Sequence, residues 1–206
     1  MIKETIPVDQ YGIDPRTTVA AQFRANNANI TPGQNVATFH LTRRRGMDDE
    51  GKVVDCYSAN DYPDLIITAP SLGVQFKQDV GVYGRQITLN TSHSEYQLFE
   101  HNTDFAALRK AEKWPRNYVI DWVFTERPAC GARFHNWKVV AGGCETLLLK
   151  CEENQSLRRW DPDNGGEWPF TEREDLQIKV YSMFDPQTAT SAVKAAAAAY
   201  KKTLRK

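Results

Sequence analysis

The sequence predicts an α/β sandwich in which a mixed β-sheet is flanked by helices. Three observations predict it. Segments of strand period alternate with segments of helix period from Asn35 onward, the order expected of a layered α/β domain. Tyr118 to Thr125 (Tyr-Val-Ile-Asp-Trp-Val-Phe-Thr) is apolar nearly throughout, as a strand buried on both faces must be. With 206 residues, 41% of them hydrophobic, the chain can bury a sizeable core without disulfide staples.

Taken in order, Thr17 to Asn26 suits a short helix stopped by Asn26-Asn27, and Pro32-Gly33 makes a turn. Asn35 to Thr42 alternates Val36, Thr38 and His40 with Ala37, Phe39 and Leu41, the period of a strand. Arg43 to Gly51 is a charged connection, and Val53 to Ala59 reads as the strand returning in a hairpin. Asp64 to Ala69 and Gly84 to Leu89 are short extended stretches. A long helix is expected from Ser92 to Trp114, carrying Leu98, Phe105, Leu108 and Ala111 and closed by Pro115. The Tyr118–Thr125 strand follows, and then a helix beginning near Gly143 with Leu147, Leu148 and Cys151. Gln155 to Glu174 is a loop, Asp175 to Phe184 a strand, and the alanine-rich stretch after Pro186 a helix with basic residues at its C-terminal end. This divides the chain into a helical lead-in (1–30), a central domain (31–185) and a C-terminal helix (186–206).

Twenty-six basic residues balance 26 acidic ones, which excludes a globally basic nucleic-acid binder but not a local basic groove. Mean hydropathy is −0.57 and no apolar run reaches the roughly 18 residues of a membrane span, so no membrane partner is expected. Met1-Ile2-Lys3-Glu4-Thr5 lacks the charged-then-apolar layout of a signal peptide, and the chain is expected to act in a cytoplasm. Four cysteines are too few and too clustered for a disulfide scaffold, and Cys130, Cys144 and Cys151 fall within 22 residues, a clustering that reads as either metal ligation or chance. Cys56, on a hairpin strand, reads as a small buried hydrophobe.

Two places carry the chemistry. His93-Ser94-Glu95 opens the long helix, and Glu126-Arg127-Pro128-Ala129-Cys130 follows the central strand, with Gly142-Gly143-Cys144 at the next helix start. They offer one imidazole, two thiols and a carboxylate not needed as a ligand. Zinc-assisted hydrolysis uses those groups: three protein ligands, an open fourth position for water, and a carboxylate to move protons. Helix N-termini favour thiolate over thiol, which helps metal loading. Ser92-x-x-Glu95 is also a capping-box pattern, which would give Glu95 only a structural task.

This layout resembles the cytidine-deaminase-like superfamily, whose signature is H-x-E followed by P-C-x-x-C. His-Ser-Glu-Tyr-Gln-Leu-Phe-Glu and Phe-Thr-Glu-Arg-Pro-Ala-Cys are similar to segments shared by the nucleic-acid deaminase domains of bacterial polymorphic toxins. The resemblance covers roughly Asn35 to Lys150. It implies a three-layer deaminase sandwich for 31–185, Zn²⁺ held by His93, Cys130 and Cys144, and Glu95 as the proton shuttle. It departs from the family pattern in two respects: Ala129 separates Pro128 from Cys130, and thirteen residues lie between Cys130 and Cys144 instead of two. His135 and Cys151 therefore remain competitors for the second thiol position, although Cys151 shares the apolar stripe of Leu147 and Leu148.

The activity this implies is hydrolysis of cytosine to uracil in nucleic acid, with DNA favoured, by a base taken from a single strand or extruded from a duplex. The toxin resemblance implies a delivered effector and a cognate immunity protein as partner. Arg43, Arg44 and Arg45 are candidate phosphate contacts, and Phe134, His135 and Trp137 are candidates for the pocket border, where one ring could stack on a base. The alternatives are a deaminase of free nucleosides, nucleotides or modified bases, and a non-catalytic interaction domain with a closed zinc site of Cys130, His135, Cys144 and Cys151.

Overall fold

The computed structural model describes residues 1–47, 50, 52–72, 77–82, 85–90, 92–131, 133–135, 138–141, 143–157, 160–161, 166–167, 177–185 and 187–205. In chain order these form β1 (Ile2–Thr5), α1 (Pro15–Asn26), β2 (Val36–Arg43), β3 (Arg45–Met47), β4 (Val53–Asp55), β5 (Leu65–Pro70), β6 (Lys77–Val82) and β7 (Arg85–Asn90). There follow α2 (Ser94–Tyr96), a wide π-type turn (Gln97–His101), α3 (Thr103–Lys110), α4 (Lys113–Arg116) and β8 (Tyr118–Thr125). The remainder is β9 (Arg133–His135), β10 (Lys138–Ala141), α5 (Cys144–Leu157), β11 (Trp160–Asp161), β12 (Gly166–Glu167), β13 (Lys179–Ser182) and α6 (Ala189–Thr203).

The main sheet has the order β1-β13-β8-β2-β5. β1, β13 and β8 run parallel, β2 runs against both β8 and β5, and the sheet is therefore mixed, as expected. One face buries Ala37, Phe39, Leu41, Ile67, Ile120, Val123 and Val180 against Leu98, Phe105, Trp114, Leu148 and Cys151. The other buries Val36, Phe124 and Tyr181 against Ala20 and Ala21 of α1 and Ala189 and Val193 of α6. The period-2 pattern of β2 thus feeds both helix layers, odd positions one way and even positions the other. Residues 1–30 and 186–206, expected as appendages, supply an edge strand and the second helix layer of the same sandwich.

A register shift between His40 and Leu41 leaves Asp121 as an extra residue on β8, and for that reason Ile120 and Val123 share a core face. β13 pairs with β8 only from Trp122 onward. Gln155 of α5 takes over beyond that point: its amide accepts from Ile120 N at 2.9 Å and donates to Ile120 O at 3.0 Å, in full burial. Gln155→Leu would orphan both backbone groups, and urea denaturation is expected to show a loss of roughly 2–4 kcal/mol.

Four expectations are corrected. The strand that returns on β2 is β5, while Val53–Asp55 pairs with Arg45–Met47 in a separate hairpin; only two apolar residues begin that segment before Asp55-Cys56 ends it. The helix over Ser92–Trp114 is broken. Asn102 leaves the helical conformation and caps α3, its side chain accepting from Asp104 N and Phe105 N, and Glu112 adopts a left-handed φ of 56° before α4. Cys56 is exposed rather than buried. The Gln155–Glu174 stretch begins as the end of α5 and includes the β11–β12 pair; most of the rest lies outside the described residues.

Candidate metal centre

β8 ends at Thr125, and the chain then crosses to Cys130 in four residues. What fixes the end of β8 is Glu126, fully buried, whose carboxylate accepts from Tyr11 Oη (2.8 Å), Arg24 Nε (2.9 Å), Arg24 Nη2 (2.5 Å) and Val36 N (3.0 Å). All of its acceptor capacity is used, so this buried ion pair is satisfied rather than stranded, and it ties α1, β2 and β8 together at one end of the sheet.

At that end three side chains converge. His93 Nδ1 lies 3.2 Å from Cys130 Sγ and 3.2 Å from Cys144 Sγ. Among the described residues, His93, Cys130 and Cys144 are the one group of three or more such side chains able to hold a metal ion, with ligand atoms all within 4.8 Å of one another. His93 stands at the N-cap of α2 in extended conformation. Cys144 is the first residue of α5, and its backbone N–H donates to Cys130 Sγ at 3.2 Å. Gly143 makes this approach feasible: a Cβ there would sit 2.0 Å from Cys130 O and 2.4 Å from Gly131 O. Glu145 N then donates to Cys130 O at 3.1 Å, locking the two cysteine-bearing segments side by side.

The donor set fits a tetrahedral zinc ion. Bonds of about 2.1 Å to nitrogen and 2.3 Å to sulfur place N and S about 3.6 Å apart, so the cluster needs to open by only a few tenths of an ångström. The sulfurs are electrostatically split. Cys130 is drawn down to about 4 by its contacts with the Cys144 thiol, His93 and the Cys144 backbone N–H, which together outweigh its burial. Cys144 is pushed up, by the neighbouring Cys130 sulfur and by burial. His93 is raised, chiefly by its hydrogen bond to Cys130. One thiolate, one thiol and an imidazole in mutual contact form a donor set from which a cation displaces a proton.

Glu95 closes the cluster on one side. It is 2% exposed, and its carboxylate accepts from Thr125 Oγ1 (3.0 Å), Ser94 Oγ (3.1 Å) and Cys144 Sγ (3.4 Å). The capping-box alternative does not describe it: the helix begins at Ser94 with His93 at the N-cap, one residue later than that pattern requires. Behind Glu95 sits Asn35. Its Nδ2 donates to both Ser94 Oγ (2.9 Å) and Thr125 Oγ1 (2.7 Å), and its Oδ1 accepts from Arg127 N at 3.0 Å. One amide therefore orients both hydroxyls that grip the carboxylate. Nothing in the sequence marked Asn35 except its place just before a strand, since its task depends on groups 59 and 90 residues away.

The other expected site residues fall elsewhere. Arg43 is paired in register with Tyr118, the opposite end of β8 from Thr125, a run of about 23 Å at the usual strand rise. Arg43 binds Asp55 at 2.9 Å, Arg45 approaches Asp55 at 3.3 Å, and Arg44 donates to Pro115 O at 3.0 Å and to Gln155 O. The structure does not bring the three arginines to the cluster; they hold hairpin and helix ends to the far rim of the sheet. Phe134 and His135 lie on β9, between the two cysteines, and Trp137 lies outside the described residues. Cys151 is fully buried in the core beside Leu148, two helical turns from Cys144, and is not a member of the cluster.

Comparison with protein-family models, with curated proteins and with solved structures returned no match.

Proposed function

We propose that the chain is a zinc-dependent hydrolytic deaminase that converts cytosine to uracil in nucleic acid, DNA favoured, and that it serves as a toxin or effector domain restrained by an immunity protein. The observation that carries the proposal is the placement of Glu95: a buried carboxylate, gripped by two oriented hydroxyls, beside a His/Cys/Cys donor set. The resemblance of His93-Ser94-Glu95 and Pro128-Ala129-Cys130 to the deaminase signature supports the same reading.

Bound at His93, Cys130 and Cys144, zinc would supply a water acidic enough to attack at neutral pH. Glu95 takes the proton given up as oxygen adds to C4 of the ring, and delivers protons to N3 and to the departing amine. Water is consumed, the C4–N bond breaks, and uracil and ammonia result. Thr125 and Ser94 hold the carboxylate in place for both transfers.

The test is to incubate zinc-loaded protein with cytosine-containing single-stranded and duplex oligonucleotides, both DNA and RNA, and with free cytidine, and to assay uracil. Uracil in an oligonucleotide is expected. Product from cytidine alone would replace the polymer with a free nucleoside, and no product from any of them, with one zinc bound, would overturn the reading. In the same assay Asn35→Ala is expected to keep its zinc and lower kcat about tenfold, the effect of some 1.4 kcal/mol on the barrier. A loss of zinc instead would make Asn35 part of the frame of the site rather than a positioning residue for Glu95.

A further inference from the structure

The helix layer formed by α1 and α6 contains no carboxylate, although the whole chain balances 26 cations with 26 carboxylates. The two cations of α1 are neutralised from outside the helix, Arg16 by Asp14 and Arg24 by Glu126. Those of α6 and the turn after it are not. Lys194, Lys201, Lys202 and Arg205 are all exposed, and their side chains make no ion pair or hydrogen bond among the described residues.

These four cations share one face. Ala189 and Val193 set the buried side of α6, packed with Phe124 and Tyr181. At about 100° per residue, Lys194, Lys201, Arg205 and Lys202 lie about 140°, 120°, 160° and 220° around the axis from Ala189. They therefore occupy an outward arc of about 100° turned away from the core. Ser191 and Ala198, both small and exposed, fall in the same arc, so the space between the cations stays clear. The helix dipole accounts for Lys201 and Lys202 in the last turn, but not for Lys194 near the start.

The arc begins beside the metal cluster. Arg127, three residues before Cys130, donates through Nη2 to Thr190 Oγ1 of α6 and to Pro32 O, both at 3.1 Å. Both acceptors are neutral, and among the described residues no carboxylate compensates this guanidinium. Lys194 follows one turn, about 6 Å, beyond Thr190, and Arg205 about 16 Å beyond Lys194. The arginine triplet of the sequence, by contrast, stands at the far rim of the sheet and is already engaged by Asp55, Pro115 and Gln155.

We propose that the outward face of α6, headed by Arg127, is a track for the phosphates of a single-stranded nucleic acid whose target base lies at the metal cluster. This track rests on the nucleic-acid deaminase reading and extends it to the polymer beyond the reacting base. A lipid surface suits the face less well, because the apolar side of α6 is turned into the core and the outward arc has no large apolar side chain to enter a bilayer. Single strands contribute about 0.7 to the salt slope for each phosphate contacted, so the four cations of the arc account for up to about 3.

The experiment measures binding of fluorescent single-stranded DNA and RNA at several salt concentrations, with uracil formation read in parallel and anionic phospholipid vesicles as a second probe. The protein with Lys194→Gln, Lys201→Gln, Lys202→Gln and Arg205→Gln is expected to lose at least about tenfold in affinity for the single strands and to lower the salt slope by up to about 3. Lys110→Gln with Lys113→Gln removes exposed cations from α3 and α4, and should bind within about twofold of the parent. Should the fourfold variant fail to fold, Lys194→Gln and the triple variant at Lys201, Lys202 and Arg205 are measured apart. A fourfold variant that binds like the parent, a parent that binds neither DNA nor RNA, or cation-dependent binding to vesicles alone overturns the proposal. Binding that depends on α6 without uracil formation would sustain the track while removing the deaminase reading. Uracil formation by a fourfold variant of undiminished affinity would keep that reading and remove the track.

Discussion

Glu95→Gln is expected to yield a folded protein with its full complement of zinc and with deamination reduced by roughly a hundred- to ten-thousandfold, the range that a positioned general acid–base group supplies. Glutamine keeps the length and one acceptor oxygen of the side chain, so the hydrogen bond from Thr125 Oγ1, now 3.0 Å long, can persist. It cannot take a proton from water or return one to the ring. Because Glu95 is not among the three ligands, zinc content should not change, and the loss should fall on kcat. Zinc content and kcat measured together check this. A variant retaining most of its activity would take the proton shuttle away from Glu95, and one that loses its zinc would make Glu95 a ligand or a support of one.

The second large effect concerns the sulfurs. Cys130→Ser and Cys144→Ser are each expected to lose stoichiometric zinc and all turnover, because a hydroxyl is a far poorer zinc donor than a thiolate. Cys151→Ser should behave differently. It lies seven residues from Cys144 on α5, about 10 Å along the helix, in full burial among the apolar residues of the core. A hydroxyl there costs about 1–3 kcal/mol of folding free energy but leaves the zinc in place. Metal analysis and denaturant midpoints on the three variants check the contrast. Zinc loss on Cys151→Ser would favour the closed structural site, in which the metal serves only to hold the fold.

The sequence announces some of this architecture and hides the rest for identifiable reasons. β8 and β2 are legible because a central strand must be apolar on both faces and its neighbour must alternate. β1 is not: Ile2-Lys3-Glu4-Thr5 is exposed at every position and joins the sheet only by pairing with β13, some 177 residues away. The broken helix is hidden because Asn102 is polar at a position where a surface helix also accepts a polar residue, so apolar spacing carries across the cap unchanged. His93, Glu95 and Cys130 stand out by residue type and order. The convergence of Cys144 with them depends on Gly143 admitting the Cys130 carbonyl at a distance no side chain could tolerate, a requirement that spacing alone does not reveal. The Arg43–Arg45 run has the composition of a phosphate contact, but which end of a strand it occupies is decided by pairing. Antiparallel pairing with β8 sends it to the rim away from Thr125.

The central claim is that an imidazole and two sulfurs share one ion whose fourth position is open beside Glu95. Zinc K-edge X-ray absorption on the loaded protein tests it directly. The account predicts one zinc per chain with two sulfur neighbours at about 2.3 Å and two nitrogen or oxygen neighbours at about 2.0–2.1 Å, one of the latter exchangeable with solvent. A shell with three or more sulfurs, a shell with no exchangeable neighbour, or a protein that binds no zinc would contradict it.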